Sequence, residues 1–520
     1  MNSRGIKVSL IIAGLTLVFA VIVARTFTFT VLQYNSFFVG KNSFPLNRVR
    51  RLNIVDSNYN LIASDIDTKT LYINGNLLEN ESFVAKKLSK AIGLPYSQIY
   101  NRLTSRDAKN RYILIKKHLF PEEENRVRQL PIASLVFEDS LLRYYPQDNL
   151  FSHVVGYVNA DGQGVLGLEE YYDTYLKSTD KGQLRSTLDV RVQSALREEL
   201  RRAKEFYRSD FVVGIVAEIT TGNIVAMVSL PDFNPNDPGD RSDTFNRATY
   251  GNYELGSVLK VFTLANGLEL GLIDENSTFD VSQNIRHGKF LIGDIEFIRN
   301  RGTIKTGEVL ALSSNIGIAM IAKRIGVNRQ LEFFESVGML EKLDTDIRQI
   351  SLPIQPRKWK DINLITIAYG YGLAASPLHV LNALGGILGG SIVAPRFTYN
   401  FRSQKKVKKI SRKTSELIRK FLRLAVTNGT GRLVNVSGYD IGGKTGTARK
   451  MIAGAYRKGA HLASFFGALP MKNPKYSLIV VINRPRESPD RDMDGTGGSV
   501  AITIVKNIIL KITPFLELGE

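Results

Sequence analysis

Apolar and polar positions change their period several times along the chain, and each change predicts an element. Val8 to Ala24 is an uncharged apolar run flanked by Arg4, Lys7 and Arg25. At about 1.5 Å per residue it reaches roughly 25 Å, a little under the ~30 Å of a hydrocarbon core. Phe27, Phe29, Val31 and Leu32 extend it once Arg25 snorkels to the interface. No Ala-x-Ala site follows the run, and it exceeds a usual signal core, so it predicts an uncleaved single-pass anchor. Basic residues on both sides leave the charge rule undecided. A long domain behind a short first anchor is translocated despite its charge, which predicts that the bulk of the chain lies outside the cytoplasm.

Beyond the anchor, Ile54-Val55, before the turn-like Asp56-Ser57-Asn58, and Thr70 to Ile73 read as short strands. Phe83 to Ile92 and Gln98 to Leu103 carry the spacing of amphipathic helices. Gly162, Gly164 and Gly167 precede an acidic, aromatic helix from Glu169 to Leu176. From Thr187-Leu188-Asp189 the pattern changes. Asp189 to Phe206 reads as a basic helix with Val192, Leu196 and Leu200 on one face. Two strand-like runs follow, Val212 to Ile219 and Ile224 to Ser229, joined by the turn Thr220-Thr221-Gly222-Asn223. The stretch from Gly256 to Ala425 is largely helical in pattern. Strands return at Ile441 to Thr447, Ala463 to Leu469 and Ser477 to Ile482, and a helix from Val500 to Ile512 closes the pattern. Strands from both sequence ends with helices between them predict an α/β domain around one discontinuous antiparallel sheet.

The 520 residues, 43% hydrophobic and 23% charged, are ordinary for a globular protein of two or three domains. The chain has no Cys, which excludes disulfides, thiolate metal sites and a Cys nucleophile. A net charge of +20 suits polyanionic surroundings: nucleic acid, anionic lipid or an acidic wall polymer. The densest basic stretch, Lys405 to Arg423, lacks interleaved aromatics and reads as a solvated loop and helix face rather than a nucleic-acid groove.

His118, His153, His287, His379 and His461 are scattered, with no helical metal-site spacing, and no Gly-x-Ser-x-Gly elbow occurs. Acyl-transfer chemistry here would need a base other than His. Ser-x-x-Lys at a helix start puts a hydroxyl and an amine one turn apart on one face. Three such pairs exist: Ser178–Lys181, Ser257–Lys260 and Ser403–Lys406. The first sits in a loop, and the third opens a basic stretch. Only Ser257–Lys260 is backed by an apolar helix (Val261, Phe262, Leu264, Ala265, Leu268) that would bury and desolvate the amine. Lys-Thr-Gly occurs at Lys305, where Thr306 reads as a helix N-cap, and at Lys444, where Ile441 to Thr447 is strand-like and glycine-flanked. Glycines there would let a substrate backbone lie against the strand as an added edge. Ser-x-Asn occurs at Ser282–Asn284 and at Ser313-Ser314-Asn315. Only the latter follows an apolar helical turn, Val309-Leu310 and Leu312.

Ser257-Val258-Leu259-Lys260, Ser313-Ser314-Asn315 and Lys444-Thr445-Gly446-Thr447, in that order, resemble the three motifs of penicillin-binding proteins and serine β-lactamases. Phe245-Asn246-Arg247-Ala248, Tyr369-Gly370-Tyr371-Gly372 and Thr447-Ala448 resemble the class B penicillin-binding proteins more narrowly. So do Arg51 to Ala63 and Gly167-Leu168-Glu169 upstream. Leu255 stands where that family usually has Pro, Leu52 where it has Gly, and Ile502-Thr503 where it has Ala-Pro.

The resemblance implies a transpeptidase domain of the penicillin-binding and serine β-lactamase type, an α/β (α+β) fold with a central antiparallel sheet flanked by helices. A single transmembrane helix and an elongated α+β pedestal would precede it. The expected divisions are 1–32 for tail and anchor, 33–186 for the non-catalytic, dimerisation-type pedestal and 187–520 for the transpeptidase. Ser257 would be the nucleophile, Lys260 its base and Ser313 the proton relay to the leaving amine. Asn315 would bind the substrate amide, and Lys444, Thr445, Gly446 and Thr447 would hold its terminal carboxylate. The N–H groups of Ser257 and Thr447 would form the oxyanion hole. The implied substrate is the D-alanyl-D-alanine end of a peptidoglycan stem, passed to an amine of a neighbouring stem with no metal or other cofactor. β-Lactams would acylate the same serine. The implied location is the cell inner membrane, with the catalytic domain on the extracytoplasmic side. Too little chain separates anchor and transpeptidase for a glycosyltransferase domain, so a multi-spanning glycosyltransferase and other division proteins are the expected partners, and nucleic acid is not. The Ile292-Gly293-Asp294 segment favours a division-type enzyme over an elongation-type one, with a β-lactamase or β-lactam sensor as the remoter alternative.

Overall fold

The computed structural model describes residues 49–105, 112–178, 182–239, 241–288, 290–403, 408–452, 455–488, 491–492 and 497–518, with Phe19 ahead of them. The apolar run from Val8 to Ala24, Lys181 and Lys406 lie outside the described residues, Phe19 apart. Among the described residues no helix is long and apolar enough to cross a membrane.

The upstream part is built on a five-stranded sheet. Strands β1 (Asn53–Val55), β2 (Leu61–Asn74), β3 (Tyr112–Leu119), β4 (Leu135–Tyr144) and β5 (Gln183–Arg185) form it, with β3-β2-β1-β5 in order and β4 also on β2. All pairs are antiparallel except β1 with β5. The expected short strand at Thr70 to Ile73 is the end of the 14-residue β2. Polar residues in its first half meet polar partners: Asp65 pairs with Arg143, Asp67 with Arg50, and Thr68 bonds Ser140. Helices α1 (Glu81–Ile92) and α2 (Tyr96–Leu103) cover the far end of this sheet through Val84, Leu88, Ile99 and Leu103. The expected helix from Glu169 to Leu176 is broken at Tyr172 into Gly167–Tyr171 and Asp173–Leu176. The break turns Asp173 toward Arg51.

Arg51 donates to Glu169 Oε2 (2.9 Å) and to Asp173 Oδ1 (2.7 Å), and Arg143 donates to Glu169 Oε1 (2.7 Å) and Asp65 Oδ1 (3.2 Å). Glu169 is fully buried between the two guanidiniums, so its charge is compensated at short range. This network joins the start of the described chain to residues more than a hundred positions later.

Downstream, α3 (Val190–Phe206) packs on a second sheet of β6 (Phe211–Glu218), β7 (Ile224–Leu230), β8 (Gly442–Ile452), β9 (Ala455–Leu469) and β10 (Tyr476–Asn483). The order is β8-β9-β10-β6-β7, antiparallel throughout, so strands from both sequence ends interleave as the pattern predicts. Alternate residues point to opposite faces, and both faces are covered. Val212, Val216, Val480 and Ile482 meet α3 and the last helix, Gly497–Ile512. Val213, Ile215, Ile479 and Val481 meet the helical region between the two halves. Double-sided burial is why these strands read as unbroken apolar runs. That helical region also holds three small two-stranded pairs that the pattern did not announce, at Thr278–Asp280 with Thr303–Lys305, Ile285–His287 with Phe290–Ile292, and Ser391–Ile392 with Lys408–Lys409.

Candidate active site

The site forms where three elements of the second domain converge on the inner face of β8. The first is the turn Gly256–Leu259, a 3₁₀ turn rather than the first turn of an α-helix, which runs into α4 (Lys260–Glu269). Three residues per turn eclipse positions i and i+3, so Ser257 and Lys260 stand in line. Ser257 is half-buried and Lys260 is fully buried, under Val261, Phe262, Leu264 and Ala265. Gly256 has φ +57, and a Cβ there would lie 2.5 Å from Thr447 O. Only glycine lets this turn adopt its left-handed backbone and press against β8.

The second element joins α5 (Thr306–Ala311) to α6 (Asn315–Ile325). Ser313, between them, has φ +64, a left-handed conformation rare outside glycine. This turn aims both its carbonyl and its hydroxyl at one point. Lys260 Nζ donates there to Ser313 O (2.5 Å), Ser313 Oγ (3.1 Å) and Asn315 Oδ1 (2.7 Å). Three acceptors match the three protons of an ammonium. Asn315 Nδ2 donates to Gly293 O (3.2 Å), which leaves one N–H and one oxygen lone pair of the carboxamide for a ligand. The expectation that Thr306 caps α5 is corrected: Lys305 holds that position, with its N–H on Glu308. Thr306 Oγ1 donates to Asp274 O (2.6 Å), a structural role.

The third element is β8. Lys444 is fully buried and donates to Thr445 O (2.9 Å). Thr445 Oγ1 donates to Thr430 Oγ1 (2.9 Å). Gly446 is buried, and a Cβ on it would lie 2.2 Å from Leu255 O, so the strand backbone touches the serine turn. Thr447 is exposed beside Gly256. Leu255, fully buried, is held through its carbonyl by Ser464 Oγ (3.2 Å).

Burial lowers Lys260 from the ordinary lysine value of 10.5 to about 7, against an opposing pull from the Asp294 carboxylate. Burial also pushes Lys444 well down, and the nearby Lys260 charge adds to that. A neutral amine in this position can take a proton from a serine hydroxyl, and the second lysine remains beside it as a polar anchor. His153 and His379 are held neutral instead: burial lowers each to about 4, and their ring nitrogens lie against Asp243 O, Ser376 Oγ and Glu341 O. Ser403 Oγ donates to Asp344, and Ser178 follows the helix Asp173–Leu176; neither serine joins the three elements.

Four residues of this constellation are not expected at the site from the sequence, although the Ile292-Gly293-Asp294 segment is singled out for another reason. Asp294 accepts from Asn315 N (2.5 Å), Ile316 N (3.4 Å) and Ser314 Oγ. Glu254 accepts from Gly372 N (2.6 Å) and so holds the Tyr369–Gly372 turn, where a Cβ on Gly370 would lie 2.0 Å from Gly256 O. Thr430 ties Thr445 to the end of α5, its N–H on Ala311 O (3.1 Å). Ser464 supports Leu255. Among the described residues no group of three His, Asp or Glu side chains could hold a metal ion.

Two family models match the chain. Residues 212–510 match the penicillin binding protein transpeptidase domain, and residues 47–199 the penicillin-binding protein dimerisation domain. The chain is 30% identical over 485 residues to a probable peptidoglycan D,D-transpeptidase FtsI of Caulobacter vibrioides, across 90% of this chain and 81% of that protein. It is 24% identical to the peptidoglycan D,D-transpeptidase FtsI of Escherichia coli, across 77% and 72% of the two. A similar match, 27% identical, is stage V sporulation protein D of Bacillus subtilis, across 90% and 78%. The fold matches a crystal structure of penicillin binding protein 3 from Mycobacterium tuberculosis complexed with aztreonam, with a TM-score of 0.69 and 22% identity, over 91% of this chain and 98% of that one.

Proposed function

The chain belongs to the class B penicillin-binding proteins, peptidoglycan D,D-transpeptidases with a dimerisation domain ahead of the transpeptidase domain, and on that premise we propose how it works and where. The observation that carries the mechanism is the fully buried Lys260, brought to about 7 and bonded to Ser313 and Asn315.

Lys260, as a free amine, takes the Ser257 Oγ proton while the oxygen attacks the carbonyl carbon between the two D-alanines of a donor stem peptide. The developing oxyanion meets the N–H groups of Ser257 and Thr447, and Lys444, Thr445 and Gly446 hold the terminal carboxylate. The C–N bond then breaks, and Ser313 passes the proton to the departing D-alanine amine. A neighbouring stem's amine attacks the resulting ester and gives up its proton to the lysine. The C–O bond breaks, Ser257 recovers a proton, and a crosslink remains. A β-lactam enters the first half of this cycle and stops at the ester.

The FtsI names of several relatives support a septal, division-type role over an elongation-type one. The Val8 to Ala24 run supports a single-pass anchor in the inner membrane, with the catalytic domain outside. Divisions at 1–32, 33–186 and 187–520 then separate anchor, pedestal and transpeptidase. Polymerised glycan would come from a multi-spanning glycosyltransferase reached through the anchor.

Intact-mass spectrometry with benzylpenicillin tests the chemistry: one adduct on the Ser257 peptide is expected, and an adduct elsewhere or none overturns it. Midcell enrichment of a fluorescent fusion is expected for the septal role. A sidewall pattern would point to elongation.

A further inference from the structure

Asp294 lies between the pair Ile285–His287 with Phe290–Ile292 and the short helix Glu296–Arg299, twenty residues before the motif it touches. Its two carboxylate oxygens take three donors from the start of α6: Ser314 Oγ, Asn315 N at 2.5 Å and Ile316 N at 3.4 Å. Ser314 Oγ itself caps the helix by accepting from Gly317 N at 2.9 Å. The preceding residue, Gly293, accepts from Asn315 Nδ2 at 3.2 Å. One loop thus fixes both the backbone and the side chain of Asn315, whose Oδ1 lies 2.7 Å from Lys260 Nζ.

Two physical problems meet here. Ser313, next to this cap, sits in a left-handed backbone conformation that costs free energy and persists only where neighbours hold it. Lys260 and Lys444 are both fully buried amines, with burial acting against the charge of each and the Lys260 charge acting against that of Lys444. A carboxylate at a helix N-terminus addresses both: it satisfies free N–H groups of the first turn and brings negative charge to the buried Lys260.

We propose that Asp294 is a positioning residue for acyl transfer: its carboxylate locks the Ser313-Ser314-Asn315 turn onto Lys260 and balances the charge of that lysine. This rests on the proposed role of Lys260 and deepens it. The charged group acting on Lys260 is Asp294, from the loop before Glu296, and the charge acting on Lys444 is that of Lys260, from α4. Removing the carboxylate leaves the effect of burial unopposed, so the Lys260 amine should lose its proton at lower pH.

The test compares the parent chain with Asp294→Asn, which keeps the shape and one acceptor but loses the charge. The readout is the rate of labelling by a fluorescent penicillin from pH 5 to 9, with a thermal melt of each protein. Asp294→Asn is expected to label roughly 10- to 100-fold more slowly. The rising limb of its pH profile should move down by about one unit. Asp294→Glu should return the limb toward the parent's. A rate within about twofold of the parent's, or a slower rate on an unmoved limb, overturns the proposal. Should Asp294→Asn fail to fold, Ser314→Ala removes a single tie and keeps the charge. Several-fold slower labelling on an unmoved limb is then expected, and an unchanged rate overturns the proposal. The parent's own labelling at Ser257 tests the transpeptidase reading separately. A labelled parent with an indifferent Asp294→Asn sinks this inference alone.

Discussion

Lys260 Nζ lies 2.7 Å from Asn315 Oδ1, two residues 55 positions apart in sequence that share one part-buried hydrogen bond. That contact, with the two to Ser313, ties the first and second motifs together before any substrate arrives. It sets the first prediction.

In the proposed mechanism, acylation by a β-lactam needs the free amine of Lys260. With its folded value at about 7, the rate should climb roughly tenfold per pH unit below 7 and level off above it. Stability should move the same way. Between about 7 and the unfolded lysine value of 10.5, the unfolded chain holds a proton that the folded chain has released, so folding becomes more favourable as pH rises through that window. The cost of burying the charged lysine is complete below about 7. Lys260→Arg keeps a cation that gives up no proton, and should label about 10²- to 10⁴-fold more slowly at pH 8. Stopped-flow labelling and urea melts across pH measure both effects.

Gly256→Ala places a Cβ 2.5 Å from Thr447 O and strains a backbone at φ +57. The obstacle is main chain and cannot rotate away. A loss of about 1–3 kcal/mol in stability is expected from the strain. Labelling should fall at least tenfold, by about the factor that a misplaced reacting group costs. Thermal melts and gel fluorescence report the two together, and unchanged labelling would remove the close approach from the mechanism.

Glu169→Gln leaves Arg51 and Arg143 buried around a neutral side chain. Removing one partner of a buried ion network costs about 3–5 kcal/mol. The urea midpoint should fall accordingly, while the folded fraction labels at the parent's rate, because the network stands apart from Ser257. Slower labelling with unchanged stability would contradict this assignment.

Thr430→Val removes the hydroxyl that accepts from Thr445 Oγ1 at 2.9 Å. Losing one such bond costs about 1 kcal/mol, or roughly fivefold in the apparent affinity for a β-lactam carboxylate. The acylation rate at saturation should hardly change, and Thr430→Ser should restore binding. A saturation curve of labelling against penicillin concentration separates the two quantities.

Much of this architecture was legible along the chain. Val192, Leu196 and Leu200 announce α3, and the runs in β6, β7, β9 and β10 announce the sheet, because burial imposes its period on residue type. The apolar helix behind Ser257–Lys260 singled out that pair from two others of the same spacing, and Lys260 is fully buried by it. The polar half of β2 was not legible, since Asp65 is inward-facing to meet Arg143 rather than to fill an apolar core. Nor was the break at Tyr172, whose hydroxyl bonds Thr398 Oγ1 (2.7 Å) and the buried Asp346 (3.2 Å) far downstream.

The sequence by itself determined the candidate reactive groups and the helices and strands that bear them, because spacing and burial are local properties of a chain. Only the tertiary structure decided how those groups are supported. Asp294 reaches Asn315, Thr430 reaches Thr445 and Ser464 reaches Leu255 through contacts between residues distant in sequence. Such contacts leave no period behind, since a hydrogen bond across the fold constrains one position and not its neighbours.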